Sequence, residues 1–351
     1  MSVEVLLYGL GELARELRLA PPGQIVRELA PGLVSLKLAP ADSQPLAYLR
    51  QTLPAPKPIE GESISRLAAN IVDCLIEREA ELQAGWRLHV YPANTDDSRL
   101  GTRRCQLISA AIFERLKSVR RTVHRAHNRD GSMILQRNES LAQVLLVEAG
   151  LGFISIALPA LRQSFSRGWF SPTLAGLISI EDDLAPPSRA FKKLLEAEER
   201  FGRSIVSNEL CVDLGCSPGS WSYLALKRGA RVIGVDRSAP REDLMKNPQF
   251  QFVKGDAFKY RPTASVAWLL SDIVAYPDRI TTLLQEWVTK AYCLNFCVTM
   301  KFKGEPDHAT LCSLKAWLKE RQVDYDVKRL DANKNEVTFF GETAAPLAVA
   351  E

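Results

Sequence analysis

The residues best suited to chemistry in this 351-residue chain lie in the stretch Cys211-Val212-Asp213-Leu214-Gly215-Cys216-Ser217-Pro218-Gly219-Ser220-Trp221-Ser222-Tyr223. An apolar run led by Leu210 and Cys211 reads as a buried strand, a turn with two glycines and a proline follows, and an amphipathic run from Trp221 to Arg228 reads as a helix. Strand, glycine turn and helix open a nucleotide-binding α/β unit. Gly215 and Gly219 let the backbone come close to a ligand, and the helix start presents free N–H groups there. The turn has neither the Gly-Lys-Ser/Thr of a phosphate loop nor the Gly-x-Gly-x-x-Gly spacing of a dinucleotide site. Asp213 stands in place of a first glycine and points to a ligand with a positive charge or many hydroxyls. S-adenosylmethionine has both. Ser217, Pro218 and Trp221 complete the candidate cofactor turn.

Acids recur at the ends of the strands expected next. Arg231–Asp236 is a second strand, and Asp236 follows Gly215 at about the distance at which an acid holds ribose hydroxyls. Phe250–Lys254 leads to Asp256, placed to accept from an adenine amine, and Ala267–Ser271 leads to Asp272. A lone aspartate at such a place is most often a turn or cap residue. Four in order on a glycine turn share one rim of a parallel sheet, where such folds bind ligands.

Those acids need a domain to position them, and the chain is long enough for two or three. The formal net charge is only +4, so the distribution of charge matters more than its sum. The seven cysteines form no Cys-x-x-Cys pair and sit mostly in apolar runs. They read as buried thiols of a reduced, cytoplasmic protein, not as zinc ligands or disulfides. The N-terminus has no basic signal-peptide start, and no apolar run reaches membrane-span length, so no membrane partner is expected. Nothing in the chain sets an oligomeric state.

The expected organisation is a small α/β subdomain over 1–60, a second region over 61–185, and an α/β sheet domain over 186–351. Val3–Tyr8 and Gly32–Leu38 are strand-like, Leu10–Leu19 helix-like, and Pro54, Pro56 and Pro58 break the chain. Ser63–Gln83 has helical spacing, Trp86–Tyr91 alternates like a strand, and the runs Ala142–Val147 and Phe153–Leu158 look like a hairpin.

Between them, residues 99–129 carry nine Lys/Arg (Arg99, Arg103, Arg104, Arg115, Lys117, Arg120, Arg121, Arg125, Arg129) against the single acid Glu114. A solvated helix face could look the same, but the imbalance favours a polyanion site, with Arg103, Arg104, Lys117, Arg120, Arg121 and Arg125 as RNA contacts. Arg162, Arg167, Trp169 and Phe170 mix cations with aromatics, which suits either stacking on unpaired bases or core packing. Glu181-Asp182-Asp183 and Pro186-Pro187 read as a linker, with the boundary near 185.

The last domain opens on a helix from Ser188 to Phe201. After Asp272 come a helix over Ile280–Tyr292, a strand Leu294–Met300 ending at Lys301, a helix His308–Arg321, and strands Val323–Leu330 and Val337–Phe340, with Glu336 just before the last. The tail after Gly341 reads as frayed.

Asp-Leu-Gly-x-x-Pro-Gly-x-Trp, the Asp272 strand end, Lys301 and the Glu336-Val337 edge resemble the FtsJ/RrmJ ribose 2′-O-methyltransferases. Ser188-Arg189-Ala190-Phe191-Lys192-Lys193-Leu194 is similar to that family's Ser-Arg-x-x-x-Lys-Leu helix. Asp256-Ala257-Phe258-Lys259-Tyr260-Arg261-Pro262 is similar to its RlmM branch, which methylates cytidines of large-subunit rRNA. The resemblance covers residues 186–341. It implies a Rossmann-like, class I S-adenosylmethionine-dependent methyltransferase sheet, preceded by an α/β, THUMP-like RNA-binding region matched in layout only.

The resemblance further implies RNA as partner and a Lys-Asp-Lys-Glu tetrad at Lys193, Asp272, Lys301 and Glu336, with Lys192 competing for the first place. Cys216 replaces a small apolar residue of the family loop, and Ser220 replaces its second glycine. A ribose hydroxyl is a poor nucleophile and needs a base or close orientation. A lysine serves when neutral, far below its ordinary pKa of about 10.4, which burial, a second lysine and a nearby sulfonium all favour. Lys301 is therefore expected as base or hydroxyl anchor. Asp272 and Glu336 would orient the lysines, Lys193 would steady the ribose, and no metal is required. Base N-methylation instead uses Asn/Asp-Pro-Pro-Tyr after the fourth strand, where this chain has Asp272-Ile273-Val274-Ala275.

Overall fold

The computed structural model describes residues 2–93, 101–128 and 134–343. The chain divides into two compact units, Met1–Leu177 and Ile178–Glu351. The division falls a few residues before the expected linker. Ile180 packs on the C-terminal core, and Asp182 accepts from Lys192 at 2.7 Å, so the acidic segment belongs to the second unit.

The N-terminal unit carries two four-stranded sheets. The first contains β1 (Val3–Gly9), β2 (Gln24–Ala30), β3 (Leu33–Leu38) and β4 (Leu49–Pro54), in the antiparallel order β2-β3-β1-β4. The second contains β5 (Lys57–Glu60), β6 (Trp86–Pro92), β7 (Ser140–Glu148) and β8 (Leu151–Ala157), in the order β5-β8-β7-β6. The expected hairpin is present as the antiparallel pair β7 and β8.

The proline cluster does not simply break the chain: Pro54 ends β4 and Pro58 lies in β5. A proline in a strand is tolerated at a sheet edge, where no N–H is demanded of it, and β5 is an edge strand. The helix expected over Ser63–Gln83 is two helices, Ile64–Glu77 and Glu79–Leu82, broken at Arg78. Ser63 caps the first by accepting from Arg66 N at 3.2 Å.

The C-terminal unit is built on one seven-stranded sheet. Its strands are β9 (Leu210–Leu214), β10 (Arg231–Asp236), β11 (Phe250–Lys254), β12 (Val266–Ser271), β13 (Cys293–Lys301), β14 (Asp324–Lys328) and β15 (Glu336–Glu342). They lie in the order β11-β10-β9-β12-β13-β15-β14. The first five are parallel, whereas β15 is antiparallel to both β13 and β14. The strand order reverses direction between β9 and β12, and the carboxyl ends beside that reversal are where such sheets bind ligands.

Cys211, Trp268, Leu270, Cys297 and Phe340 on the sheet form a core with Phe191, Leu194 and Phe201 of the helix Phe191–Phe201. This helix begins later than the sequence suggested, because the Ser188 side chain caps only a turn, accepting from Ala190 N at 3.3 Å. It ends at Gly202, whose left-handed φ of 74° closes the last turn on Glu198 O.

Candidate methyl-transfer site

Four elements bring one cluster of charge together. Lys193 sits in the first turn of the helix Phe191–Phe201, Asp272 follows β12, Lys301 ends β13, and Glu336 begins β15. The β13–β15 register sets Lys301 directly opposite Glu336. Lys193 Nζ lies 3.0 Å from each carboxylate oxygen of Asp272 and 2.6 Å from Glu336 Oε1. Lys301 Nζ lies 2.7 Å from the main-chain oxygen of Asp272, 3.1 Å from its Oδ1 and 3.9 Å from Glu336 Oε2.

Two carboxylates thus face two ammonium groups, and the charge balances. The Lys193 side chain is 8% exposed and that of Lys301 is 20% exposed, so Lys301 is the more open of the two. Lys192, the competing lysine, turns away to Asp182.

The cofactor turn follows β9. Gly215 and Gly219 hold φ of 74° and 111°, and a Cβ added to them would lie 2.3 Å from Ile273 and 2.2 Å from Leu244. Ser217 N donates to Asp236 Oδ2 at 3.1 Å, and Pro218 O accepts from Arg241 N at 3.1 Å. Ser238 N reaches the other Asp236 oxygen at 2.9 Å. Each of those oxygens keeps a lone pair for a ligand hydroxyl. Asp256 accepts from Phe258 N at 3.0 Å and from Arg237 at 3.1 Å. The Phe258 N–H, and then Arg237, hold its carboxyl below the usual range.

Two expected cofactor contacts have other work. Asp213 is 3% exposed and points inward, accepting from Ser222 Oγ at 2.6 Å and Ser222 N at 3.1 Å. It supplies the cap that Gly219 lacks at the start of the helix Ser220–Lys227. Burial pushes its carboxyl up to about 7. Trp221 is 3% exposed, and its indole N–H donates to Ala190 O at 2.7 Å, so it anchors the segment leading into Lys193.

The departure at Ser220 has a structural reason. Its hydroxyl accepts from Ser188 N at 2.8 Å and contacts Ser188 Oγ at 2.7 Å, tying the same two segments together. The sequence reading missed Ser222 and Asn335. The Asn335 side chain donates to Phe302 O at 3.2 Å and fixes the turn after Lys301. No motif marks either residue.

A cradle in which backbone comes close, followed by acceptor-only carboxylates at Asp236 and Asp256, fits a cofactor rich in donors and carrying positive charge. This strand order, cradle and acid-tipped rim define an S-adenosylmethionine-dependent methyltransferase. The model of the FtsJ-like methyltransferases matches residues 186–313.

The chain is 25% identical over 308 residues to "Ribosomal RNA large subunit methyltransferase M" of Marinomonas sp. (strain MWYL1), covering 84% of this chain and 80% of that protein. It is 33% identical over 181 residues to the protein of the same name from Tolumonas auensis, covering 48% of this chain and 50% of that one. This second match therefore spans about half of the relative's length. A possible methylase from Clostridium difficile 630 aligns over 98% of both chains at 14% identity, with a TM-score of 0.36, too loose a likeness to add weight.

In the N-terminal unit the basic run is two helices, Thr102–Val119 and Arg121–Ala126, broken at Arg120. Cys105, Ile108, Ile112 and Leu116 bury one face of the first. Arg103, Lys117, Arg121 and Arg125 are exposed. Arg104 and Arg120 do not stand free for a ligand. Arg104 donates to Ala149 O at 2.8 Å, and Arg120 pairs with Glu79 at 2.6 Å. Arg99 and Arg129 lie outside the described residues, as does most of the tail after Gly341.

In the cation–aromatic segment Trp169 and Arg162 are taken up by packing, while Arg167 is exposed. Trp169 is fully buried and donates to Gln44 O at 2.8 Å, while Arg162 donates to Glu139 O at 2.6 Å. The seven cysteines are free thiols, five of them buried. Burial raises Cys105 to about 11 and Cys293 to about 12. No helix among the described residues is long and apolar enough to cross a membrane.

Proposed function

We propose that this chain is an RNA ribose 2′-O-methyltransferase acting on large-subunit rRNA, with Lys193, Asp272, Lys301 and Glu336 as its catalytic tetrad. The observation that carries the reading is the meeting of these four side chains at the carboxyl rim of the sheet, each lysine 2.6–3.9 Å from both acids. The names of the curated relatives supply the rRNA.

S-adenosylmethionine supplies an electrophilic methyl on a cationic sulfur. The turn 215–219 would hold it, with Asp236 on its ribose and Asp256 on its base. Lys301, the more open lysine, meets the acceptor 2′-hydroxyl and takes its proton when neutral. Asp272 fixes Lys301 through both its carboxylate and its main-chain oxygen. Lys193 stays clamped between Asp272 and Glu336, which keeps both carboxylates aimed at the acceptor. Holding the hydroxyl in line with the methyl adds to the proton transfer.

A THUMP-like role for the N-terminal unit, with Arg103, Lys117, Arg121 and Arg125 on RNA phosphates, completes the proposal. The test is transfer of labelled methyl from S-adenosylmethionine to unmodified large-subunit rRNA, followed by nucleoside analysis. A labelled 2′-O-methylnucleoside is the expected product. A labelled methylated base overturns the reading.

A further inference from the structure

The chain after Asp272 runs through Ile273-Val274-Ala275-Tyr276 into the helix Pro277–Thr289. Two large apolar side chains in it face solvent, with Val274 76% exposed and Tyr276 56% exposed. The backbone at Tyr276 is nevertheless held in place. Its carbonyl accepts from Arg279 N at 3.1 Å and Ile280 N at 3.3 Å, and Pro277 in the first turn fixes the entry of the chain.

Lys303, two residues beyond Lys301, sets its ammonium 4.3 Å from the centre of the Tyr276 ring. Its segment is pinned too, since Phe302 N donates to Asn335 O at 2.9 Å. Asn335 immediately precedes Glu336. An open ring with a cation against it therefore sits on the segments, fixed in their backbone, that leave Asp272 and Lys301. The packing of the unit does not require either side chain. An aromatic face and an adjacent cation are what an unpaired nucleotide recognises, the base by stacking and the phosphate by charge.

We infer that Tyr276 and Lys303 form the platform for the acceptor nucleotide, the ring stacking on its base and the ammonium reaching its phosphate. This rests on the RNA 2′-O-methylation proposed above and narrows its substrate to an unpaired nucleotide, because a base stacked in a duplex has no face to offer.

Tyr276→Ala, Tyr276→Phe and Lys303→Ala test it, with in vitro transcribed large-subunit rRNA as acceptor and S-adenosylmethionine affinity measured by calorimetry. Tyr276→Ala is expected to lower kcat/KM for RNA by about 5- to 150-fold, while Tyr276→Phe stays close to wild type and cofactor affinity is unchanged in all three. Lys303→Ala is expected to lower the salt dependence of RNA binding by roughly one phosphate contact. An active wild type with an equally active Tyr276→Ala overturns the platform alone. So does a Tyr276→Phe as impaired as Tyr276→Ala. A wild type that methylates no RNA overturns the reading beneath it, and the platform with it.

Discussion

The two units handle charge in opposite ways. In the C-terminal unit two lysines and two acids are gathered from four elements, with Lys193 and Glu336 nearly withdrawn from water and Asp272 and Lys301 partly so. In the N-terminal unit Arg103, Lys117, Arg121 and Arg125 stand exposed on helices whose other face is apolar. Buried charges cost several kcal/mol each to desolvate, and only close mutual pairing offsets that. Such a cluster is fixed in geometry, and losing a member leaves its partners incompletely paired. Exposed cations are individually weak and act by their sum. The first arrangement suits bond-making at one atom, and the second suits holding a polyanion.

The contrast breaks most sharply at Lys193. Lys193→Ala leaves Asp272 and Glu336 with Lys301 as their one remaining cation in the cluster, and should cost about 3–5 kcal/mol of stability as well as methyl transfer. Urea unfolding and a transfer assay measure both. A variant as stable as wild type would show that the cluster is less enclosed than its geometry indicates.

Asp213 offers a second test within the same unit. Its carboxyl is raised to about 7 by burial. At a pH below the ordinary carboxylate value both folded and unfolded forms are protonated. As the pH rises toward 7 the unfolded chain ionises first, so this residue subtracts stability progressively and by a constant amount above 7. Asp213→Asn removes the penalty and keeps an acceptor for Ser222. Relative to wild type, the variant should gain ~4 kcal/mol between pH 4 and pH 8, read by urea unfolding across that range. A constant difference would place the Asp213 carboxylate in contact with water.

In the N-terminal unit, Arg121→Glu with Arg125→Glu should weaken RNA binding and reduce the slope of log K against log salt by about 2, with cofactor affinity intact. Filter binding at several salt concentrations checks it. Arg120 is left alone, because its reversal would set a second acid against Glu79 and confuse folding with binding. An unchanged slope makes the basic helices a solvated face.

How legible each region was follows from the same physics. The strand-end acids and the glycine turn could be read because a parallel sheet converts strand ends into one rim, whereas the four tetrad positions came only from the resemblance to the FtsJ/RrmJ family. Asp236 ends β10, and Asp256 and Asp272 follow β11 and β12, as expected. Orientation could not be read. Asp213 turns inward to Ser222 and Trp221 inward to Ala190, since either residue can face ligand or core with the same sequence pattern. In the N-terminal unit no periodicity distinguishes a free arginine from one tied to a carbonyl across the fold, as Arg104 is to Ala149. Trp169 and Arg162, read as equally fit for stacking or packing, were decided by tertiary contacts that no local pattern carries.

The central claim is that Lys301 meets the acceptor hydroxyl. Single-turnover methyl transfer by Lys301→Ala, at saturating S-adenosylmethionine and large-subunit rRNA, tests it most directly. A loss of about 10²- to 10⁴-fold is expected with both ligands still bound, and Lys301→Arg should not restore the rate, because a guanidinium stays protonated. A Lys301→Ala enzyme that transfers methyl within a few-fold of wild type would contradict the account, and would leave Lys301 as a brace for the end of β12.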